Sequence, residues 1–236
     1  MLLTVIIPVY NAGQFLPRCL DSVIRQQDTN LLEVIAVNDG STDDSLAILQ
    51  RYAEQYPFIH VLTQPNKGQA AARNEALHHA TGDRVLFLDA DDYWSDHYLA
   101  EILPGLTDDI DVLQTGYTRL PVDGEPIVVF CRRPYRFLSA WSKVIRREFL
   151  ITNRILFPEG LYYDDPIWAA RLWQAKPRIA LSASTGYHYY QNSNSVTANR
   201  QSTAEVRRLL REAGLHIYDF GWLRLRLTAH FIKERL

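Results

Sequence analysis

The sequence predicts an α/β fold, a mostly parallel sheet flanked by helices, and three observations carry that expectation. Short β-branched runs alternate with helix-length segments from residue 3 to residue 88. The runs are mostly apolar, and continuously so in Val85-Leu86-Phe87-Leu88, as strands covered on both faces are. Polar or acidic residues follow each run at once, at the strand end where open α/β sheets hold their ligands.

Taken in order, Leu3 to Val9 reads as a buried strand. Residues 12–27 read as a helix with Phe15, Leu16, Leu20, Val23 and Ile24 on its inner stripe. Leu32 to Val37 is the second strand. Ser41 or Thr42 then caps a helix bearing Leu46, Ile48 and Leu49, with Asp43 and Asp44 in its first turn. Phe58 to Leu62 is the third strand, Gln69 to Ala80 a helix, and Arg84 to Leu88 the fourth strand. Such alternation implies right-handed βαβ units. After residue 105 the rhythm breaks. Asp111 to Arg119 and Pro126 to Cys131 read as strands joined by the turn Val122-Asp123-Gly124. Helices are expected near Ala140 to Leu150 and Pro166 to Ala175, and a strand ending at Tyr187-His188-Tyr189-Tyr190. The expected organisation is a nucleotide-binding half over 1–105, an elaboration over 106–198 that completes the site, and a helical tail over 199–236.

Composition narrows the class. The chain has 236 residues, 47% hydrophobic and 22% charged, with a formal charge of −2. One large domain fits that size, and the charge gives no reason to expect nucleic acid as a partner. Cys19 and Cys131 lie far apart without metal-ligand spacing, so neither a disulfide framework nor zinc is indicated. Met1 leads straight into the first strand, and no apolar run approaches the ~18 residues of a membrane span. A cytoplasmic protein is expected.

Four segments fall at predicted strand ends: Pro8-Val9-Tyr10-Asn11, Asn38-Asp39-Gly40-Ser41, Asn66-Lys67-Gly68 and Asp89-Ala90-Asp91-Asp92. Each alone has an ordinary account as turn or cap chemistry. Together they form one concave surface of acidic, basic and backbone-donor groups. Asp89 and Asp91 are two apart, so on extended chain they share one side and can face one hard cation. No GxxxxGK[ST] or GxGxxG pattern is present.

The order and spacing of these segments resemble the family 2 glycosyltransferases, inverting enzymes with a GT-A fold that use sugar nucleotides. The resemblance runs through Ala72-Arg73-Asn74, then Trp141-Ser142-Lys143. It continues in Tyr163-Asp164-Asp165 and in the tyrosine-rich segment Tyr187 to Tyr190 with Ser195-Val196-Thr197, as in bacterial polysaccharide enzymes. Asp164 stands where that family usually has Glu.

What the resemblance implies is a GT-A-type, Rossmann-like sheet with an acceptor-side elaboration, and roles for named residues. Pro8, Tyr10, Asn11, Asp39, Asn66, Lys67, Gly68, Arg73, Asp89, Ala90 and Asp91 would bind the nucleotide sugar, with Tyr10 and Asp39 at the base. The Asp39 carboxylate would accept the imide N–H of uracil, which favours UDP over GDP or dTDP. Arg73 would approach the diphosphate or hold the acidic segment. Asp91 would be the chief ligand of Mg2+ or Mn2+, Asp89 lying nearer the ribose and the cation's waters, with His188 a further candidate. Asp92 is ambiguous between the site and a cap for the next helix. Asp165, with Asp164 second, would be the base that takes the acceptor's proton, and a helix N-terminus would keep it ionised. Trp141 and Tyr163 fall on the acceptor side. The acceptor implied is a glycan hydroxyl in bacterial surface polysaccharide, lipopolysaccharide or capsule, carried on a lipid diphosphate.

A nucleotidyltransferase is the rival enzyme, but it calls for a glycine-rich basic loop after the first strand, which this sequence lacks. A non-catalytic nucleotide-sugar-binding protein would not need Asp165. The tail carries eight Lys/Arg against four Asp/Glu over 200–236, with Leu215, Tyr218, Trp222, Leu225, Ala229, Ile232 and Leu236 on one helical face. Such an amphipathic helix suits a peripheral contact with the inner membrane, packing on the catalytic domain, or a homodimer.

Overall fold

The computed structural model describes residues 1–135, 137–161 and 164–191. The expected helical tail, Ser195 to Thr197 and Tyr163 lie outside the described residues. The main sheet has seven strands: β1 (Leu3–Val9), β2 (Leu32–Asp39), β3 (Ile59–Gln64), β4 (Arg84–Phe87), β6 (Val112–Gln114), β9 (Lys143–Arg146) and β10 (Ile179–Leu181). Their spatial order is β10-β6-β9-β4-β1-β2-β3, and β9 alone runs against its neighbours. A second sheet, in the order β5-β11-β7-β8, joins β5 (Tyr93–Trp94), β11 (Tyr187–Tyr190), β7 (Tyr117–Leu120) and β8 (Ile127–Val129). The helices are α1 (Leu16–Ile24), α2 (Ser45–Gln55), α3 (Gln69–His79), α4 (Tyr98–Ile102), α5 (Arg147–Thr152) and α6 (Asp165–Gln174).

The most apolar runs are the sheet's centre. Leu3, Val5, Ile6 and Ile7 of β1 are fully enclosed, with Val34 to Val37 and Val85 to Phe87 beside them. Pro8 sits in this central strand without breaking it. The Ile6 carbonyl accepts from Leu88, so Pro8, two residues on, faces the same way, beyond the last paired residue of β4. On α3, Ala70, Ala72 and Ala76 are buried, and small side chains let this helix lie close to β1 and β2.

The chain runs from β1 outward to β3, then returns to place β4 on the other side of β1. The carboxyl ends of β1 and β4 therefore flank the point where strand order reverses, the usual crevice of an open α/β sheet.

Several local expectations are corrected. The helix expected over 140–150 is instead a 3-10 turn (Ala140–Ser142), strand β9 and the short α5. Val144 and Ile145 are β-branched, and they fill the slot between β4 and β6, so pairing outweighs helical periodicity. The run Asp111 to Arg119 splits into β6 and β7, which belong to different sheets. The first helix is shorter than 12–27. Neither Ser41 nor Thr42 caps α2. Its N-cap is Asp44, and Asp43 instead accepts from the backbone N–H groups of Gly13 (2.9 Å) and Ser45 (3.0 Å), tying two site loops together.

Candidate active site

The site is organised by one buried guanidinium. Arg73, on α3 and 1% exposed, donates from Nη2 to Asp89 Oδ1 at 2.7 Å and from Nη1 to Asp164 Oδ2 at 3.0 Å. Its Nη1 also stands 3.6 Å from Asp165 Oδ1. Burial opposes the charge on Arg73, yet Asp89, Asp164 and Asp165 together hold that charge more firmly than usual. Asp89 follows β4 and the Asp164-Asp165 pair opens α6, so one side chain joins the acidic segment to the distant pair.

Aromatic packing fixes the distance across that bridge. Phe157 stacks on Trp168 of α6 at 4.7 Å, both rings meet Phe87 of β4 edge-on, and the guanidinium lies 5.1 Å over the Phe157 ring. Asp164 is the N-cap of α6, and its Oδ1 accepts from the Asp165 N–H and from Gln69 Nε2, each at 3.0 Å. The cap role thus belongs to Asp164, and Pro166 follows Asp165 as the second helical residue. Asp165 Oδ1 faces the Ala140 N–H at 3.4 Å.

Burial, the largest influence, pushes the Asp165 carboxyl up to about 7, although 25% of its side chain reaches solvent. Arg73 and Lys143 pull it down, while Asp164 and Asp89 push it up. The helix N-terminus is expected to keep this group ionised. Desolvation and two neighbouring carboxylates outweigh it, and the group is poised near neutrality.

The acidic segment is held from behind. The buried Asp92 accepts from the Tyr187 hydroxyl (2.6 Å) and from the Tyr190 N–H (2.7 Å); it does not cap a helix. Burial, then Asp89 and Asp91, raises its pKa despite those bonds. The Tyr187 hydroxyl also accepts from the Asp89 N–H at 3.2 Å. Arg18 donates to the Asp91 carbonyl at 2.8 Å, its guanidinium 4.6 Å from the ring centres of both Tyr93 and Tyr190. Trp141 stacks on Tyr187 (4.5 Å) and Tyr189 (5.6 Å) and is only 7% exposed, so it joins the two sheets and offers little face to a ligand.

At the other end, Asp39 closes β2 and organises the β3–α3 loop. Its Oδ1 accepts from Gln64 Nε2 (2.7 Å) and the Lys67 N–H (2.8 Å), and its Oδ2 from the Gly68 N–H (2.7 Å). Gly68 takes φ +89°, and Gly40 takes φ +70° where an added Cβ would stand 2.7 Å from the Asn66 nitrogen. Asn66 and Lys67 are exposed, as is Tyr10 at 51%. Asn11, at φ 48°, accepts from the Thr42 N–H at 2.8 Å, locking the β1 loop to the β2 loop. Ala90 is buried under the acidic segment.

A divalent cation suits the donors present only in part. Asp89 and Asp91 supply hard oxygen atoms, but Arg73 already occupies Asp89 Oδ1. Among the described residues no three His, Cys, Asp or Glu converge to hold an ion, so Asp89, Asp91 and His188 do not form a ready ligand set. His188 lies against Tyr93 at 4.6 Å, and burial followed by Arg18 lowers its pKa. A pair of carboxylates completed by substrate phosphate and water is the pattern Mg2+ and Mn2+ accept.

Sequence reasoning missed Gln64, Gln69, Arg18 and Tyr187. Only Tyr187 carried a signal, through the tyrosine-rich segment; the others are polar residues on helix or strand faces whose role depends on tertiary position. No described helix is long and apolar enough to cross a membrane.

The sequence profile of "Glycosyl transferase family 2" matches residues 4–160. An uncharacterized glycosyltransferase of Escherichia coli, YibD, is 36% identical over 217 residues, covering 83% of this chain and 63% of that protein. TuaG of Bacillus subtilis, a glycosyltransferase named for teichuronic acid biosynthesis, is 38% identical across 100% of this chain and 98% of its own. Among solved structures, S. aureus TarS 1-349 in complex with UDP-GlcNAc superposes with a TM-score of 0.78 at 25% identity. That superposition covers 90% of this chain and 65% of the TarS chain. The fold, the strand-end site and these similarities agree: the chain, which spans under two thirds of the length of YibD and of the TarS chain, belongs to glycosyl transferase family 2.

Proposed function

We propose that this enzyme transfers a hexose or N-acetylhexosamine from a UDP-sugar to a glycan hydroxyl in bacterial surface polysaccharide synthesis, with inversion at the anomeric carbon. The observation that carries the proposal is the Arg73 bridge, which sets Asp165 beside the strand-end crevice occupied by Asp89. Similarity to TarS bound to UDP-GlcNAc supports the donor class, and similarity to TuaG supports the acceptor class.

The nucleobase end is the Asp39 loop. Three hydrogen bonds already reach that carboxylate, which leaves one acceptor position, on Oδ2, for the imide N–H of uracil. Tyr10 supplies an exposed ring beside it for stacking, with Pro8, Asn11, Asn66, Lys67 and Gly68 shaping the wall. Asp91 and Asp89 lie at the diphosphate end, where Mg2+ or Mn2+ would neutralise charge on the leaving group when bound. Arg73 keeps Asp89 oriented through Oδ1. Asp165, ionised above about pH 7, takes the proton of the acceptor hydroxyl as that oxygen attacks the anomeric carbon. Asp164 holds Arg73 and caps α6, so its role is to position Asp165. Tyr163, which lies outside the described residues, keeps the acceptor-side role that the family resemblance implies.

Thermal unfolding with a panel of UDP- and GDP-sugars, with and without Mn2+, tests the donor assignment. A bound ligand raises the melting temperature. The expected result is a Mn2+-dependent rise with at least one UDP-hexose or UDP-N-acetylhexosamine. No response to any UDP-sugar alongside a response to GDP-sugars would contradict it.

A further inference from the structure

We infer that Lys143 is a positioning residue for the transfer reaction, ordering the turn that sets the Ala140 N–H against Asp165. The inference rests on the assignment of Asp165 as base.

Lys143 opens β9 and is 1% exposed. A buried ammonium is costly unless its protons are all received. Here they are received by one turn: the Phe137 carbonyl at 2.9 Å, the Ser139 carbonyl at 2.6 Å and Ser142 Oγ at 3.2 Å. Ser142 Oγ in turn donates to the Ser139 carbonyl at 2.8 Å. Residues 137–142 are thus wrapped on a single charge. The indole rings of Trp168 and Trp173 on α6 lie 5.9 and 5.4 Å from Nζ, so the same charge faces the helix that begins at Asp165.

Two consequences follow for Asp165. Its Oδ1 receives the N–H of Ala140, the first residue of the 3-10 turn within this segment, which fixes the side chain's direction. The groups facing it are Arg73 from α3, Asp164 at its own helix start, Asp89 after β4, and Lys143. Arg73 is shared among three carboxylates, which makes Lys143 the separate positive charge acting on this site. An apolar residue of similar length would pack against the tryptophans equally well. Packing alone therefore does not account for a lysine here.

The test compares Lys143→Met, which loses charge and hydrogen bonds, with Lys143→Gln, which keeps two donors and loses the charge. The readouts are UDP affinity, kcat, donor KM and the pH profile of kcat. Losing a positive charge raises the pKa of a nearby carboxylate, so the acid limb of the profile moves to higher pH in both variants. At neutral pH kcat falls about tenfold in Lys143→Met, with UDP affinity and donor KM unchanged. A parental pH profile, or a loss of UDP binding that matches the loss of kcat, would overturn the inference.

Should both variants fail to fold, Ala140→Pro removes only the N–H that meets Asp165. Ser139 at φ −57°, ψ 133° already has the conformation preferred before proline, and Ala140 is the first residue of its turn. The expected result is the same upward shift of the acid limb; a parental profile would overturn the inference. Asp165→Asn separates the two assignments. Turnover retained in that variant removes the base itself, whereas an inactive Asp165→Asn beside a parental Lys143→Gln profile removes only the role of Lys143.

Discussion

Arg73 on α3 donates to Asp164 at the start of α6, a 3.0 Å contact across 91 residues of sequence. Because the same guanidinium holds Asp89 at 2.7 Å, the acidic segment after β4 and the start of α6 share one buried charge. Removing it strands three carboxylates. Arg73→Met is expected to lower stability by about 3–5 kcal/mol, the usual cost of breaking a buried ion pair from one side. Arg73→Lys cannot bridge both carboxylates with a single point charge and is expected to recover stability only partly. Urea unfolding of the two variants measures this.

The pH dependence follows from Asp165. Its carboxyl is raised in the folded protein to about 7, above the ordinary aspartate value of 3.8. A base must be ionised, so kcat is expected to rise through about pH 7 and to level off above it. Stability runs the other way. A raised carboxyl favours the folded state below its unfolded value, and that contribution is lost as pH climbs through the folded value. Between about pH 4 and pH 7 the enzyme should therefore lose some stability while gaining activity. Parallel kcat and melting-temperature profiles test both directions.

Asp39 is predicted to act on the donor through its loop. Asp39→Ala releases the Lys67 and Gly68 N–H groups and Gln64 together. Leaving such groups unpaired costs about 1–3 kcal/mol, so UDP affinity is expected to weaken about tenfold or more. Gly68→Ala has open space for its Cβ but must adopt φ +89°, so a smaller loss is expected. Isothermal titration with UDP ranks the two.

Tyr187→Phe removes the hydroxyl that accepts from Asp89 and donates to Asp92. Asp92 is then left buried with one donor fewer. A stability loss of about 1–3 kcal/mol is expected, together with weaker Mn2+ dependence as the acidic segment loosens. Thermal unfolding and a Mn2+ titration of activity check the two effects separately.

The first half of the fold was legible because its signals are local. Leu3–Val9 as a strand needs only its own apolar continuity, and the four strand-end segments are contiguous in sequence. The second half was less legible because its pairing is not local. Lys143 to Arg146 resembles part of a helix until β4 and β6 are seen on either side of it. The site divides in the same way. Asp39, Asp89, Asp91 and Asp165 announce themselves by type and place. The poise of Asp165 near neutrality depends on Asp164, Asp89, Arg73 and burial acting together, which no spacing reveals. Trp141 was expected beside the acceptor, and its stacking on Tyr187 and Tyr189 could be seen only once the second sheet was assembled.

The central claim is that donor binding and proton removal are separate tasks of separate carboxylates, and Asp165→Asn examines it most directly. Measured with a responsive UDP-sugar and acceptor, transfer should fall by at least about a hundredfold while UDP affinity stays at the parental value. Transfer near the parental rate, with the variant folded and binding UDP, would contradict the account.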